Sequence, residues 1–390
     1  MDTPERAYDY IIAGGGAAGL SLAYHLSISE LKGRSILIID QQQKTKNDHT
    51  WCFWSDHPSP YEPILFRSWK KINFTSPYYQ AALPLGKFRY AMLRSIDFYQ
   101  FIHSKLAPNS NFRWHYSKIQ AVRDTETGVA VLTEDGSVFQ ARYAFNSLFN
   151  STDLQPGSAS CHYLKQHFLG WEIKTSQPVF DPDGPTLFDF NLPQQAGVCF
   201  MYTLPFSADH ALVEYTLFSP KLLAKPDYEQ VLRNYLSKLI PSGDYQILNE
   251  EMGSIPMTDQ PFTRRAGAHI LNIGTRGGLV KASTGYAFAR IQADSAAIVA
   301  SLEKSGHPFD IKRPPTLYPL LDSILLQIIL RHPAGMSFIF SQMFRNNPIE
   351  RIFQFLDERE NWWGDLRLIT SLPPYRFIQA LFRLKILGKV

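Results

Sequence analysis

The chain has 390 residues, 45% of them hydrophobic, which is enough for two or three folded regions with sizeable cores. Lys and Arg number 39 against 35 Asp and Glu, and the resulting net charge of +4 is too small to indicate a protein that binds nucleic acid. The three cysteines, Cys52, Cys161 and Cys199, lack metal-ligand or redox spacing, so we expect reduced thiols and no metal site.

The first predicted unit is a βαβ nucleotide cradle over residues 8–40. Tyr10 to Ala13 is apolar and predicts a buried strand, Leu20 to Leu26 continues at helical spacing, and Ser35 to Ile39 predicts a second strand. Because this unit begins by Tyr8, we expect no signal peptide before it.

The turn between this strand and helix carries a G-x-G-x-x-G motif, formed by Gly14, Gly16 and Gly19. Glycines at these positions permit a tight turn, close approach of a pyrophosphate and close packing of helix on strand, while the helix N-terminus supplies N–H donors. Asp40 lies at the end of the second strand, where a ribose hydroxyl needs an acceptor. The pattern predicts a dinucleotide site but does not identify the dinucleotide.

Past the second strand, Asp48 to Trp54 is dense in aromatic residues. This cluster would face a bound nucleotide, but burial in the core of a loop explains it equally well. Trp69 to Phe74 and Tyr78 to Leu85 predict strands of a different region. Ser95 predicts the N-cap of a helix, whose apolar face consists of Phe98, Phe101, Ile102 and Leu106.

Strand-like patterns return at Phe112 to Val122, Val129 to Leu132 and Val138 to Phe145, and we expect them to complete the nucleotide sheet. From His167 to Phe218, aromatic and apolar strands separated by Pro, Gly and Asp predict an antiparallel sheet that forms one wall of a substrate cavity. An amphipathic helix follows over Tyr228 to Leu239.

His269 to Gly274 predicts another buried strand, which leads into the glycine-rich stretch 275–286 and a helix from Ala287 to Leu302. A strand that feeds a glycine-rich turn and a helix makes a second ligand-facing helix N-terminus. One nucleotide site built from both ends of a chain indicates a long dinucleotide, because a single cradle suffices for a short one. The sequence therefore favours FAD over NAD.

Beyond Gly306 the pattern is mostly helical, and apolar stripes at 320–329 and 349–356 are typical of core helices. After Pro373-Pro374, basic residues lie opposite apolar ones, a composition that is typical of a helix on a membrane surface. The apolar residues there are Phe377, Leu381 and Leu384, and the basic ones are Arg376, Arg383 and Lys385. No apolar run reaches the roughly 18 residues that a membrane-spanning helix needs.

Over nearly its whole length the chain resembles the lycopene β-cyclase family of bacterial carotenoid biosynthesis. The resemblance is carried by the glycine motif and, in order, by NDHTWCFW at 47–54, HFLGWEI at 167–173, TLFDF at 186–190, MYTLPF at 201–206, LVEYT at 212–216, MGSIPMT at 252–258 and GTRGGLVKASTGYAF at 274–288. So many stretches in the same order are far more specific than any one of them.

The resemblance implies an α/β fold: a Rossmann-like FAD-binding domain of the aromatic hydroxylase and geranylgeranyl reductase type, an antiparallel β-sheet substrate domain and a helical C-terminal region. The FAD-binding domain would comprise residues 1–57, 87–150 and 260–305, the substrate domain 58–86 and 151–259, and the helical region 306–390. Gly274-Thr275 stands where the hydroxylases and reductases usually have Gly-Asp, and this fits the cyclases better.

The resemblance also implies the residues of the site. FAD would be bound by Gly14, Gly15, Gly16, Ala17, Ala18, Gly19, Asp40, Gly274, Thr275, Gly277 and Gly278. The catalytic acid would be Glu214, whose flanks Leu212, Val213 and Leu217 are apolar, and desolvation raises a carboxylic pKa. Glu172, Asp189 and His49 would either orient Glu214 or accept the leaving proton, or else be structural, which we favour for each.

The implied reaction is a redox-neutral cyclisation that converts the ψ end groups of lycopene, or of other ψ-ended carotenes, to β-rings by way of γ-carotene to β-carotene. Reduced FAD would act as an electrostatic partner, with NAD(P)H as the reductant. A substrate this apolar implies a cytoplasmic protein attached peripherally to the inner face of the membrane. Two alternatives stay open: a flavin-dependent monooxygenase or prenyl reductase acting on an isoprenoid, and a non-catalytic protein that binds FAD and a carotenoid. The oligomeric state is open.

Overall fold

A computed structural model describes residues 8–156, 158, 160–312, 317–359 and 361–384. The strands in these ranges are β1 (Tyr8–Ala13), β2 (Ile36–Asp40), β3 (Thr50–Ser55), β4 (Arg67–Trp69), β5 (Lys71–Thr75), β6 (Gln80–Pro84), β7 (Arg89–Arg94), β8 (Phe112–Tyr116), β9 (Ile119–Asp124), β10 (Val129–Thr133), β11 (Val138–Asn146), β12 (Tyr163–Thr175), β13 (Thr186–Asp189), β14 (Val198–Ser207), β15 (His210–Ser219), β16 (Tyr245–Thr258) and β17 (Ile270–Asn272). The helices are α1 (Ala17–Ser27), α2 (Ser95–Leu106), α3 (Lys225–Leu239), α4 (Phe288–Ser305), α5 (Leu317–Arg331), α6 (Met336–Asn346), α7 (Ile349–Leu356), α8 (Trp362–Thr370) and α9 (Pro374–Phe382).

The first sheet has the order β8-β2-β1-β11-β10-β9, and β17 pairs with the end of β11. β8, β2, β1, β11 and β17 are parallel, and β9 and β10 are antiparallel additions. Both faces of β1 are buried, which explains its unbroken apolar run: Ile12 packs under the helices and Ile11 against the opposite core. The predicted βαβ unit and the returning strands are confirmed. The stretch 112–122 forms two strands, because β8 and β9 lie at opposite edges of the sheet.

The second sheet has the order β16-β12-β15-β14-β13-β5-β6 and is antiparallel except between β13 and β5. This confirms the antiparallel sheet predicted from 167–218. Side chains alternate strictly along β15: Val213 and Leu217 pack with Leu232 of α3, whereas Leu212 and Phe218 belong to the core shared with the C-terminal helices. The alternation therefore assigns Glu214 to the face opposite α3.

A small third sheet, β3-β7-β4, lies between the other two cores. Phe53 of β3 packs in the core of the nucleotide sheet, and its neighbour Trp54 packs in the core of the second sheet. The aromatic cluster over 48–54 is thus largely a buried strand rather than a loop. Trp69 to Phe74, predicted as one strand, is divided between β4 and β5, which belong to different sheets.

The C-terminal helices cover the second sheet. Ile324 and Ile328 of α5 and Ile352 and Phe353 of α7 are buried, which confirms both predicted core stripes. Of the apolar residues predicted for the C-terminal helix, Phe377 of α9 and Leu384 beyond its end pack on the core, whereas Leu381 is exposed. Lys385 lies outside the described residues. Within the described ranges, no single helix is long and apolar enough to cross a bilayer, although α5 and the segment Pro333–Asn346 meet the criterion jointly with a bend of 111° between them.

Ser95 does not cap α2 as predicted. The N-cap is Arg94, and Ser95 is the first helical residue. The Ser95 hydroxyl oxygen instead accepts hydrogen bonds from the backbone N–H groups of Asp48 and His49, at 2.9 and 3.0 Å. Ser95 therefore anchors the segment that leads into β3.

Candidate functional site

The turn between β1 and α1 has the geometry of a phosphate-binding loop. Gly14 has a φ of 104°, and a Cβ on Gly19 would lie 2.0 Å from the carbonyl oxygen of Gly14, so glycine is required for α1 to pack this closely. Gly16 is the N-cap of α1 with no side-chain cap, and a Cβ there would meet no described atom within 4 Å. The first N–H groups of α1 are therefore available to an anion.

Asp40 ends β2 and fixes this turn. Its Oδ2 accepts a hydrogen bond from the N–H of Gly15 at 2.7 Å, and the Nζ of Lys44 lies 4.0 Å away. Its Oδ1 makes a longer contact of 3.5 Å with the N–H of Gln42. Asp40 thus holds the glycine turn with one oxygen and offers the other to a hydroxyl donor.

The second glycine motif lies directly against the first. Gly274 has a φ of 61°, and a Cβ on it would lie 2.8 Å from the Cβ of Ala18 in α1. Residues Gly274–Gly277 form a single 3-10 turn that ends at Gly278, whose φ is 77°. The structure therefore brings the two ends of the chain together at the start of α1, as a site for a long dinucleotide requires.

The remaining residues that were predicted to bind FAD lie in the same two turns. Gly15 and Ala17 lie in the first turn, and Thr275 lies in the adjacent second turn. Gly277 serves packing, because a Cβ there would lie 2.6 Å from the carbonyl oxygen of Asn272. Taken with the open position at Gly16, the two turns fit a pyrophosphate-containing cofactor.

Glu214 occupies the middle of the second sheet. On β12 it lies opposite Gly170, and on β14 it lies opposite Tyr202. Its side chain leans over Gly170, since a Cβ on Gly170 would lie 3.4 Å from the Cβ and 3.5 Å from the Cγ of Glu214. Beyond Gly170, the next residue in this row is Glu251 of β16. We call these four residues the Glu214 row.

The surroundings of Glu214 favour the protonated form of its carboxyl group. Only 9% of the residue is exposed, and burial, reinforced by the charge of Glu251, raises the pKa of Glu214 to about 8. The hydroxyl of Thr216 donates a hydrogen bond of 2.5 Å to Oε1, which opposes that rise. The predicted apolar flank is corrected: Leu212 shares the face of Glu214, but Val213 and Leu217 point away toward α3.

Three tyrosines form a cluster at the Glu214 row, and sequence reasoning missed this cluster. The hydroxyl of Tyr90 lies 2.6 Å from that of Tyr202 and 3.1 Å from that of Tyr286. Burial raises the pKa of all three phenols, so they are neutral hydroxyls. Cys52 lies in the same cluster, and burial raises the pKa of its thiol to about 12. The one available signal was period-2 spacing, which places Tyr202 and Cys52 on the inward faces of β14 and β3.

Tyr286 connects the row to the second glycine motif, because it ends the glycine-rich stretch 275–286. The same stretch is held by the buried Lys281, whose Nζ lies 2.7 Å from Glu358 and 3.1 Å from Asp322 of α5. Arg290 of α4 also contacts Glu358, at 2.8 Å. The C-terminal region is thus joined by buried ion pairs to the loop between the two candidate sites.

Of the three further polar residues considered from the sequence, Glu172 and Asp189 have partners other than Glu214. Glu172 lies 2.8 Å from Nε2 of His210, and Asp189 accepts a hydrogen bond of 3.1 Å from the hydroxyl of Tyr235 on the α3 side. His49 is exposed. These contacts fit the structural interpretation that we favoured for each.

Two cavities lie near these elements. One of about 30 Å³ is lined by Trp54, Lys281, Tyr286 and neighbouring residues, close to the second glycine motif. Another of about 530 Å³ is an open surface depression at the end of α3, lined by residues such as Arg233 and Tyr245. Of these, the first is the one that adjoins the tyrosine cluster.

Known proteins resemble the chain in sequence and in fold. The model of a family described as "Lycopene cyclase protein" matches residues 9–382. A lycopene beta-cyclase of Pseudescherichia vulneris is 26% identical over 385 residues, which is 94% of this chain and 87% of that protein. A flavoprotein/dehydrogenase from Cytophaga hutchinsonii has a TM-score of 0.64 at 10% identity, with 96% of this chain and 99% of that chain covered. A geranylgeranyl bacteriochlorophyll reductase-like protein from Thermoplasma acidophilum has a TM-score of 0.58 at 13% identity, with 97% and 96% covered. These structural similarities confirm the predicted fold class and, at such identities, nothing beyond the fold.

Proposed function

Because the chain belongs to the lycopene cyclase protein family, we propose that it is a carotenoid cyclase that converts ψ end groups of lycopene to β-rings without net oxidation or reduction. The observation that carries the proposal is Glu214, a buried carboxylic acid whose pKa is raised to about 8. Protonating an alkene requires a strong donor in a dry site, and few side chains keep a proton there at neutral pH.

The proton of Glu214 is transferred to the terminal double bond of the ψ end group, which leaves a tertiary cation. The neighbouring double bond attacks this cation and closes the six-membered ring, and loss of a ring proton restores a double bond. One proton is added and one is lost, so no oxidant or reductant is consumed. Thr216 holds the carboxyl group in place through Oε1, and the sheet face around it excludes the water that would otherwise capture the cation.

The two glycine motifs are the proposed FAD site, and reduced FAD would supply negative charge beside the cation while transferring no electrons. The chain contributes further stabilisation through its aromatic rings. Trp54 and Tyr286 lie with ring centroids 4.7 Å apart next to the tyrosine cluster, and aromatic faces attract cations. The phenol hydroxyls of the tyrosine cluster add dipoles. Because they are neutral, they are weaker nucleophiles toward the cation than a phenolate would be.

One experiment separates this proposal from its alternatives. The purified protein is incubated anaerobically with lycopene, FAD and NAD(P)H, the proposed reductant, and the product is analysed by mass and by absorption spectrum. We expect an unchanged mass with a shortened chromophore. A gain of oxygen or hydrogen would identify a monooxygenase or a prenyl reductase, and unaltered lycopene that stays bound would identify a carrier.

The proposal includes a peripheral location at the cytoplasmic face of the inner membrane, since lycopene and related ψ-ended carotenes dissolve only in lipid. Exposed aromatic side chains on the C-terminal helices support it. Trp362 and Trp363 of α8 are 63% and 60% exposed, and Tyr375 of α9 is 68% exposed. Tryptophan and tyrosine favour the boundary between membrane and water, and the exposed Arg367 adds positive charge beside the tryptophans.

A further inference from the structure

Glu251 is a second carboxylate in the Glu214 row. It lies directly opposite Gly170 on one side, as Glu214 does on the other. Directly opposed residues of neighbouring strands project from the same face of a sheet, so both carboxylates rise from the face that α3 does not cover. Their strands are roughly 10 Å apart, two inter-strand spacings. Gly170 lies between the two carboxylates and has no side chain of its own, and the side chain of Glu214 leans over it.

Thr50 of β3 fixes the direction of the Glu251 side chain. Its N–H donates a hydrogen bond of 3.1 Å to Oε1, and its hydroxyl donates one of 2.7 Å to Oε2. A carboxylate has about four acceptor positions, so further positions stay available. The neighbouring Glu250 points to the opposite face, where it accepts from Trp171 at 3.2 Å and pairs with Lys225 at 2.6 Å.

We propose that Glu251 is the catalytic base that removes the ring proton in the last step of the cyclisation. The inference rests on the proposed function and deepens it. The carbon–hydrogen bond of the ring carbon that formed the new bond breaks, its electrons form the β-ring double bond, and the proton passes to a carboxylate oxygen of Glu251. Transfer of that proton back to Glu214, directly or through solvent, restores both groups.

The other polar groups on this face are less suited to the role. Tyr90, Tyr202 and Tyr286 are neutral hydroxyls, because burial raises the pKa of each. Glu172 shares the face but is paired with His210. A donor on one side of Gly170 and an acceptor on the other allow the end group to lie over Gly170 and exchange its two protons with different residues.

The type of ring that forms shows which proton is removed, and so tests the proposed base. From the ring cation, loss of the proton beside the new bond gives a β-ring, and loss from the methylene or methyl group on the other side gives an ε-ring or an exocyclic double bond. We expect Glu251→Gln to slow β-ring formation by about 100-fold and to divert the closed rings to these isomers, as measured by NMR of the products. Glu251→Asp should recover part of the β-ring fraction. Glu250→Gln, the matched control on the opposite face, should behave as the wild type.

Two results would overturn the inference. One is β-rings from Glu251→Gln at the wild-type rate and fraction. The other is a folded Glu251→Gln protein that consumes no lycopene, because the defect would then precede ring closure. If Glu251→Gln does not fold, Thr50→Val tests the same point, since loss of the orienting hydroxyl should lower the β-ring fraction, and an unchanged fraction counts against the base. If the wild type itself does not cyclise lycopene, the proposed function fails first, and the two failures are thereby distinguished.

Discussion

At the scale of single residues, the proposed mechanism depends on a proton that stays on Glu214 at neutral pH. An exposed glutamate would be ionised, and a fully paired one would be too. Glu214 instead accepts one hydrogen bond, from Thr216, in a buried position next to the like charge of Glu251. These surroundings favour the neutral acid.

Replacing Glu214 by Gln removes the transferable proton but keeps the shape and the hydrogen-bond acceptor. We expect lycopene consumption to fall by about 100-fold or more, with FAD still bound, as measured by single-turnover assays and flavin absorbance. Glu172→Gln is the matched control, because Glu172 lies on the same face but is paired with His210. A Glu214→Gln enzyme that cyclises normally would exclude Glu214 as the acid.

The pH dependence follows from the same carboxyl group. In the proposed mechanism the protonated form is the active one, and the pKa of Glu214 is raised to about 8, so the rate should be constant near neutrality and fall as the pH rises through about 8. Removing the charge of Glu251 should shift this decrease in rate to lower pH, because that charge helps to raise the pKa of Glu214. A rate that increases through this range would show that the ionised form is required.

At the scale of elements, β12 and β15 position the proposed acid, and Gly170 is the position over which the substrate would lie. A Cβ at Gly170 would lie 3.0 Å from Cδ1 of Leu212 and 3.4 Å from Cβ of Glu214. The first contact is tighter than ordinary van der Waals contact, and any larger side chain would extend between the two carboxylates.

Gly170→Val should therefore abolish cyclisation while the protein still folds. Valine suits a strand, and overpacking at one position costs about 1–3 kcal/mol. We expect flavin affinity to stay unchanged, whereas lycopene binding is lost; Gly170→Ala should give an intermediate loss. Full activity in Gly170→Val would show that the substrate does not lie over this position.

Much of the fold could be predicted from local patterns, because β1, α1, β2 and the strands over 167–218 have periodic apolar residues and glycine or proline at their ends. Glu214 was found through the family resemblance, since a glutamate in a strand is otherwise typical of a solvated face. The tyrosine cluster and Glu251 could not be predicted, because they are assembled by pairing between strands that are distant in sequence. Ser95 was predicted wrongly from its residue type. Serine favours an N-cap, but the Ser95 hydroxyl instead accepts hydrogen bonds from a neighbouring segment.

At the scale of the whole molecule, the C-terminal helices have two surfaces with different roles. The inner surface completes the core above the second sheet and holds the glycine-rich loop through Lys281, Glu358 and Asp322. The outer surface exposes large aromatic and aliphatic side chains on α8 and α9, such as Ile378 at 64%. A lipid-bound substrate would thus be taken up next to helices that contact the site.

Trp362→Ser combined with Trp363→Ser should weaken binding to anionic liposomes, because both indoles lose contact with the interface. The measurement is liposome flotation, with activity on detergent-solubilised lycopene as a check on folding. Phe338→Ser is the control, since Phe338 is 38% exposed on α6. A second variant that lacks residues 373–390 tests α9 separately. Equal flotation of all variants would show that neither helix is the anchor.

The close approach of Gly274 to Ala18 also sets when the proposed FAD site can form. β17 and the second glycine turn join β11 and α1 only after most of the chain has been synthesised, since residues 18 and 274 are separated by the whole second sheet. A nascent chain on the ribosome thus carries one half of the cradle and no complete site. Loading with the proposed FAD would therefore follow synthesis of the segment that carries the second glycine motif.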